Sequence, residues 1–92
     1  MRRVKKEKKE EPDITLSRKM LSDARVIARG QRIRDVQRLV AQYGGRASRW
    51  VKKSSPQFEV AGARFEYHWY EHHGVGRFET RQVRVSEPWS SN

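Results

Sequence analysis

Between Ala63 and Glu71 the chain alternates, residue by residue, between two chemically different rows: Phe65, Tyr67 and Trp69 in one, Arg64, Glu66, His68 and Tyr70 in the other. Successive side chains of an extended strand point to opposite faces, so this period of two fits a strand lying between unlike environments and does not fit a helix. Only 35% of the 92 residues are hydrophobic and 35% are charged, so this strand must supply a large share of whatever core forms. A chain of this length encloses one modest core, hence one domain.

Around that strand the pattern changes at Gly44 and Gly45. Upstream the spacing is helical. Leu16, Met20, Leu21, Ala24, Ile27 and Ala28 recur every three or four residues after Asp13, with Thr15 or Ser17 placed to cap, and predict a first helix stopped by Gly30. Ile33, Val36, Leu39, Val40 and Tyr43 predict a second, with Arg32, Arg34, Asp35, Arg38 and Gln42 on its other flank. Downstream, Arg49 to Lys53 reads as a strand closed by Pro56. Phe58 to Ala61 and Ala63 to Glu71 read as two more, joined by a tight turn at Ala61 and Gly62. Arg77 to Val85 reads as a fourth, after the loop of His72, His73, Gly74, Val75 and Gly76. The expected fold is α+β, two N-terminal helices packed on a four-stranded antiparallel meander. Residues 1–12 are a mixed-charge linker or tail, 13–86 the domain, and 87–92 a polar tail in which Trp89 folds back or stays exposed.

Lysine and arginine number 21 against 11 acids, a formal charge of +10 that favours a polyanionic partner through attraction and counterion release. No stretch approaches the roughly twenty apolar residues of a membrane span, and no apolar run follows the basic N-terminus as a signal peptide requires. With no cysteine, disulfides and thiolate chemistry are excluded. No cofactor motif is present. His68, His72 and His73 invite a metal reading, but adjacent histidines on an extended segment do not converge on one ion, and no metal is expected; polar loop residues, or imidazole at the rim of the open face, suit His72 and His73 better. Gly74 and Gly76 read as turn residues, since no helix follows to cradle a phosphate.

The aromatic row is expected to be the core face, packed on the helical stripes, with a base-stacking platform as its alternative. The other row then faces solvent. Phe78 is expected to look inward, leaving Arg77, Glu79 and Arg81 on the open face beside His68 and Tyr70, while the opposite parity of Val83 and Val85 signals a bulge or a change of register. RNA can be cleaved without metal when a base, an acid and cations act on its 2′-hydroxyl and adjacent phosphate. His68 can serve as acid or base, Glu66 as base or as the group that orients His68, and Tyr70 and Glu71 complete the candidate catalytic set. Arg77, Arg81, Lys52, Lys53 and Arg64 are the candidate phosphate contacts, joined by His72, His73 and Trp50. Trp50 with Lys52, or Lys53 opposite Val51, can take either parity, and Trp50 serves equally as a core anchor or as a stacking surface. The competing reading of the face is a solvated mixed-charge sheet that supports only binding, or only solubility.

The run Tyr67, His68, Trp69, Tyr70, Glu71, followed by His73, Gly74, Val75, Gly76 and Glu79, and preceded by Tyr43, Gly44, Gly45 and Trp50, Val51, Lys52, resembles the C-terminal toxin domains of bacterial polymorphic toxin systems of the contact-dependent and Rhs-like kind. The resemblance covers Asp23 to Val85. The order of helices and then an antiparallel sheet looks like the metal-independent barnase, EndoU, colicin and RelE ribonuclease superfamily. The resemblance implies an endoribonuclease acting on RNA, tRNA included, in the cytoplasm of a target bacterium after delivery within a larger secreted protein. It implies an acidic immunity protein as partner, and the shared strand motif carries over only to His68, Tyr70 and Glu71. A non-catalytic nucleic-acid-binding module is the alternative function.

Overall fold

The computed structural model describes residues 14–85; the tails expected at 1–12 and 87–92, Trp89 among them, lie outside the described residues, as do Asp13 and Ser86 at the expected domain limits. The architecture is α+β: one antiparallel sheet of five strands with two short helices. In chain order the elements are α1 (Arg18–Ser22), β1 (Arg25–Arg29), α2 (Val36–Tyr43), β2 (Trp50–Ser54), β3 (Phe58–Val60), β4 (Ala63–His72) and β5 (Gly76–Arg84), with 3-10 turns at Gly30–Arg32 and Ala47–Arg49.

The strongest departure from the sequence pattern is the first predicted helix. Only Arg18–Ser22 is helical, capped by Ser17, whose Oγ accepts from the Met20 amide at 3.0 Å. The second half of that stripe is strand β1, antiparallel to β2. None of the α1 residues is buried, so nothing repays a long helix there, whereas Val26 and Ile27 are β-branched and Arg25, Val26, Ala28 and Arg29 pair with β2 around an irregularity at Ile27. The sheet therefore has five strands rather than four. Gly30, expected to stop a helix, instead opens a 3-10 turn at φ +52°.

The sheet is not a plain meander. β4 is its axis: β2 and β3 pair in tandem along one edge and β5 along the other, with β1 outside β2. Pro56 has no N–H to continue the ladder between β2 and β3, and Ser55 fills the gap. The Ser55 amide donates to Tyr67 O at 2.9 Å, and Ser55 Oγ accepts from the Tyr67 amide at 2.9 Å. The β3–β4 hairpin turns through Ala61 and Gly62, both at positive φ, the geometry whose twist matches the flanking strands. Where β5 changes parity, Trp69 alone stands opposite Glu79 and Thr80. Glu79 sits at φ +61° in this bulge. Its carboxylate accepts from Arg38 Nη1 and Nη2 at 2.9 Å each and from the Tyr43 hydroxyl at 2.8 Å, which offsets the cost of a left-handed non-glycine residue.

Helix α2 places Val36, Leu39, Val40 and Tyr43 at i, i+3, i+4 and i+7. This stripe meets Trp50 and Tyr70, with Ile33 beside it, and Phe78, Val75, Ala28 and Ala47 pack around that cluster. The row of β4 under the helix is thus the one containing Tyr70 and His72, and the expected core face is reversed. Phe65 and Tyr67 lie on the opposite face, half-buried with Phe58, while Trp69 is 1% exposed there and donates its indole N–H to Glu71 Oε1 at 3.0 Å. Alternation distinguishes two rows without saying which one a helix covers; Trp50 and Phe78, which flank Tyr70 on neighbouring strands, complete the larger apolar surface.

His72 locks the helix end to the sheet. Its Nδ1 lies 2.8 Å from His73 O, an acceptor, and its Nε2 lies 3.2 Å from the Arg46 amide, a donor, contacts that suit the tautomer with its proton on Nδ1. A Cβ on Gly45 would meet His72 Nε2 at 2.5 Å, and Gly45 adopts φ +82°, whereas Gly44, at φ +94°, has nothing within 4 Å of its missing Cβ. Gly45→Ala is expected to cost about 2–4 kcal/mol and Gly44→Ala about 1 kcal/mol. The midpoints of urea unfolding of the two variants check this ordering.

Candidate functional site

Cross-strand partners share a face, which fixes what surrounds the candidate histidine. On the α2 side the registers bring together Arg25 from β1, Trp50, Lys52 and Ser54 from β2, Glu66, His68, Tyr70 and His72 from β4, and Phe78, Arg81 and Val83 from β5. The apolar cluster under α2 ends at Tyr70. Beyond it, toward Glu66, the face is polar.

Glu66 is the centre of that polar end and is 8% exposed. Its Oε1 accepts from Ser54 Oγ at 2.9 Å and lies 2.9 Å from His68 Nε2; its Oε2 accepts from Arg25 Nη2 at 3.1 Å and from Gln57 Nε2 at 3.4 Å. Burial pushes the carboxyl up, but the hydrogen bonds from His68, Ser54 and Arg25, with the charge of Arg25, outweigh it and hold Glu66 at about 2. An ionised carboxylate only accepts, so His68 carries a proton on Nε2 and directs Nδ1 away from Glu66. Arg25 also donates to Ser55 O at 3.2 Å, tying β1 to the same knot.

A cleft of about 440 Å³ opens between the sheet and the segment leading into α2, lined by the His68 partner Arg81 and by Tyr70 but by neither His68 nor Glu66 themselves. Its floor carries Lys52, Tyr70 and Arg81; its wall carries Ile27, Ala28, Arg32, Ile33, Arg34 and Asp35. Arg81 is the cross-strand partner of His68, and Lys52 of Tyr70, with Lys52 Nζ 5.7 Å from the Tyr70 ring centroid. Among the described residues none of Arg32, Arg34, Lys52 and Arg81 makes an ion pair, so four cations face the cleft against the single acid Asp35. No group of three or more His, Cys, Asp or Glu that could hold a metal occurs among the described residues.

The sequence-predicted residues divide cleanly. His68, Glu66, Tyr70, Lys52 and Arg81 come together on one face. Glu71, Lys53 and Arg77 do not: odd-numbered positions of β4 and their partners point the other way. There Lys53 Nζ donates to Glu71 Oε2 at 3.1 Å, and burial, which raises Glu71, is outweighed by the hydrogen bonds of Trp69 and Lys53 and the charges of Lys53 and Arg77. Arg77 pairs with Glu71 rather than standing beside His68. Trp50 is fully buried, its indole donating to Gly44 O at 3.0 Å, and offers no stacking surface. His72 is engaged in the core as described, His73 is exposed in the loop, and Arg64 lies at the far end of β4, donating to Gln57 Oε1 at 3.4 Å. Arg25, Ser54, Arg32, Arg34 and Asp35 were outside the predicted site. Arg25 fell in a predicted helix, and nothing in the sequence places it against Glu66.

Comparison of the chain with protein-family models, with curated proteins and with solved structures gave no match. No helix among the described residues is long and apolar enough to cross a membrane.

A depressed carboxyl contributes stability above its unfolded value and loses it as pH falls toward its folded value. For Glu66 that window runs from about 4.5 down to about 2. Across it the wild type is expected to lose on the order of 3 kcal/mol more stability than Glu66→Gln, which has no carboxyl to titrate. Equal pH slopes for the two proteins in chemical denaturation would contradict this assignment.

Proposed function

We propose that the protein is a metal-independent endoribonuclease that cleaves RNA by attack of the 2′-hydroxyl on the adjacent phosphate. The observation that carries the reading is the His68–Glu66 pair, sequestered at 16% and 10% side-chain exposure beside a cleft lined by four cations. An imidazole anchored through Nε2 presents Nδ1 as its working nitrogen, the arrangement a general base requires. Glu66, accepting hydrogen bonds at both oxygens and ionised at any working pH, is a positioning residue and not the base. This narrows the catalytic set to His68 and Tyr70; Glu71 belongs to the opposite face.

In this mechanism His68 Nδ1 takes the proton of the 2′-hydroxyl, and the bond from the 2′-oxygen to phosphorus forms. The bond from phosphorus to the 5′-oxygen breaks, and the Tyr70 hydroxyl returns a proton to that leaving oxygen. The products are a 2′,3′-cyclic phosphate and a 5′-hydroxyl. Arg81 and Lys52 stabilise the charge that gathers on the non-bridging oxygens, while Arg32 and Arg34 hold flanking phosphates. DNA lacks the 2′-hydroxyl and is not a substrate. The binding of RNA, tRNA included, and any acidic immunity partner belong to the same proposal.

His68→Ala is expected to lower cleavage of a labelled RNA oligonucleotide by at least 10³-fold while leaving affinity within about threefold. Arg81→Ala and Lys52→Ala are expected to weaken binding and reduce the salt dependence of log K by about 1 each, and Arg77→Ala to leave both unchanged. Intact RNA after incubation with the folded wild type would sink the catalytic reading. Retained salt-dependent binding in that case would leave a non-catalytic RNA-binding module using the same cleft.

A further inference from the structure

β1 is an edge strand: β2 pairs with one side of it, and no strand pairs with the other among the described residues. Its outer backbone groups are a ready template for another chain. Natural sheets blunt such edges with charge and bulges, and β1 has a register shift between Val26 and Ala28. What it does not have is a polar surface at its centre. Val26 and Ile27 are 37% and 41% exposed, two adjacent large hydrophobic side chains on this edge. A groove of about 350 Å³ runs beside them, lined by Val26, Ile27, Ala28, Arg29, Gln31 and Arg32.

We propose that the β1 edge docks an extended acidic segment of another polypeptide, which adds as a sixth strand. Backbone pairing supplies the affinity common to strand addition, and alternate side chains supply the specificity. The apolar side chains of the added strand cover Val26 and Ile27 and enter the groove. Its acidic side chains meet Arg29 and Arg32, which line the groove. The excess of positive charge, +10 over the chain, disfavours a second copy of this chain at the same edge. Nucleic acid would satisfy the arginines but has neither a strand ladder for the open edge nor aliphatic groups for Val26 and Ile27.

The position has a consequence for the basic cleft. Ile27, Ala28 and Arg32 line both the groove and the cleft, so a strand on β1 narrows the cleft mouth. That consequence rests on the proposed cleavage site; the docking itself does not.

The test uses the full chain, isotopically labelled, titrated with a ten-residue peptide alternating valine and glutamate, and followed by amide chemical shifts and hydrogen exchange. The expected result is shift changes and slowed exchange concentrated at residues 25–29. Affinity should be at least tenfold weaker for polyglutamate of the same length, for an alternating valine–lysine peptide, and for the Val26→Glu protein. Shift changes centred on Lys52, Tyr70 and Arg81, equal binding of polyglutamate, or an unaltered Val26→Glu titration would overturn the proposal. So would dimerisation of the chain through residues 25–29 without peptide. Because none of these readings involves RNA cleavage, failure of the docking and failure of the nuclease are separately visible.

Discussion

The contact on which the structure depends is the seating of Trp50. Its ring is fully buried, 6.1 Å from the Tyr43 ring, 5.3 Å from His72 and 5.9 Å from Phe78, and its N–H satisfies Gly44 O at the carboxyl end of α2. One side chain thus closes the helix, starts β2 and fills the core. A helix of eight residues has little stability of its own, so α2 exists because its stripe lands on Trp50 and Tyr70. The two glycines after Tyr43 are what let the chain reverse tightly enough for this. The second also brings the backbone against His72, where a Cβ would collide. The aromatic stack of Tyr43 on Phe78, at 4.0 Å between centroids, then carries the register across to β5.

From that anchor the polar end of the same face follows. With Trp50, Tyr70 and Phe78 under the helix, strand parity obliges Ser54, Glu66 and His68 to lie on the same side, beyond the reach of the apolar cluster. A buried carboxylate there is tolerable only if its acceptors are filled, and Arg25, Ser54, Gln57 and His68 fill them. β1 contributes the single charge in this set that is not on the hairpin strands or their connections. Its conversion from predicted helix to strand is therefore a condition of the site as well as a detail of the fold.

The bulge at Glu79 has a similar double effect. A regular β5 would put Arg81 on the face opposite Phe78; the extra residue returns Arg81 to the side of His68 and the cleft. Glu79 itself turns toward α2, where the hydrogen bonds and charge of Arg38 hold its carboxyl below the ordinary range despite burial. Cation placement in the cleft and the helix–sheet clamp are thus set by one local irregularity.

By itself the sequence determined the places where the chain is extended after Gly45, the turn at Ala61 and Gly62, the α2 stripe, the break of parity in β5 and the excess of positive charge. Each is a local property, readable from period, turn chemistry or count. It also paired His68 with Glu66 and Tyr70, since residues two apart on a strand must share a face. Tertiary structure decided which face the helix covers, because both rows of β4 carry enough aromatic surface to be buried and only the neighbours Trp50 and Phe78 break the tie. It decided that Arg25 to Arg29 is a strand, because a weak helical stripe with nothing to pack against yields to a ladder offered by β2. And it decided which cations line the cleft: Arg77 and Lys53 left by parity, and Arg32 and Arg34 arrived from a segment whose approach to Lys52 and Arg81 is a matter of chain path, which no local pattern encodes.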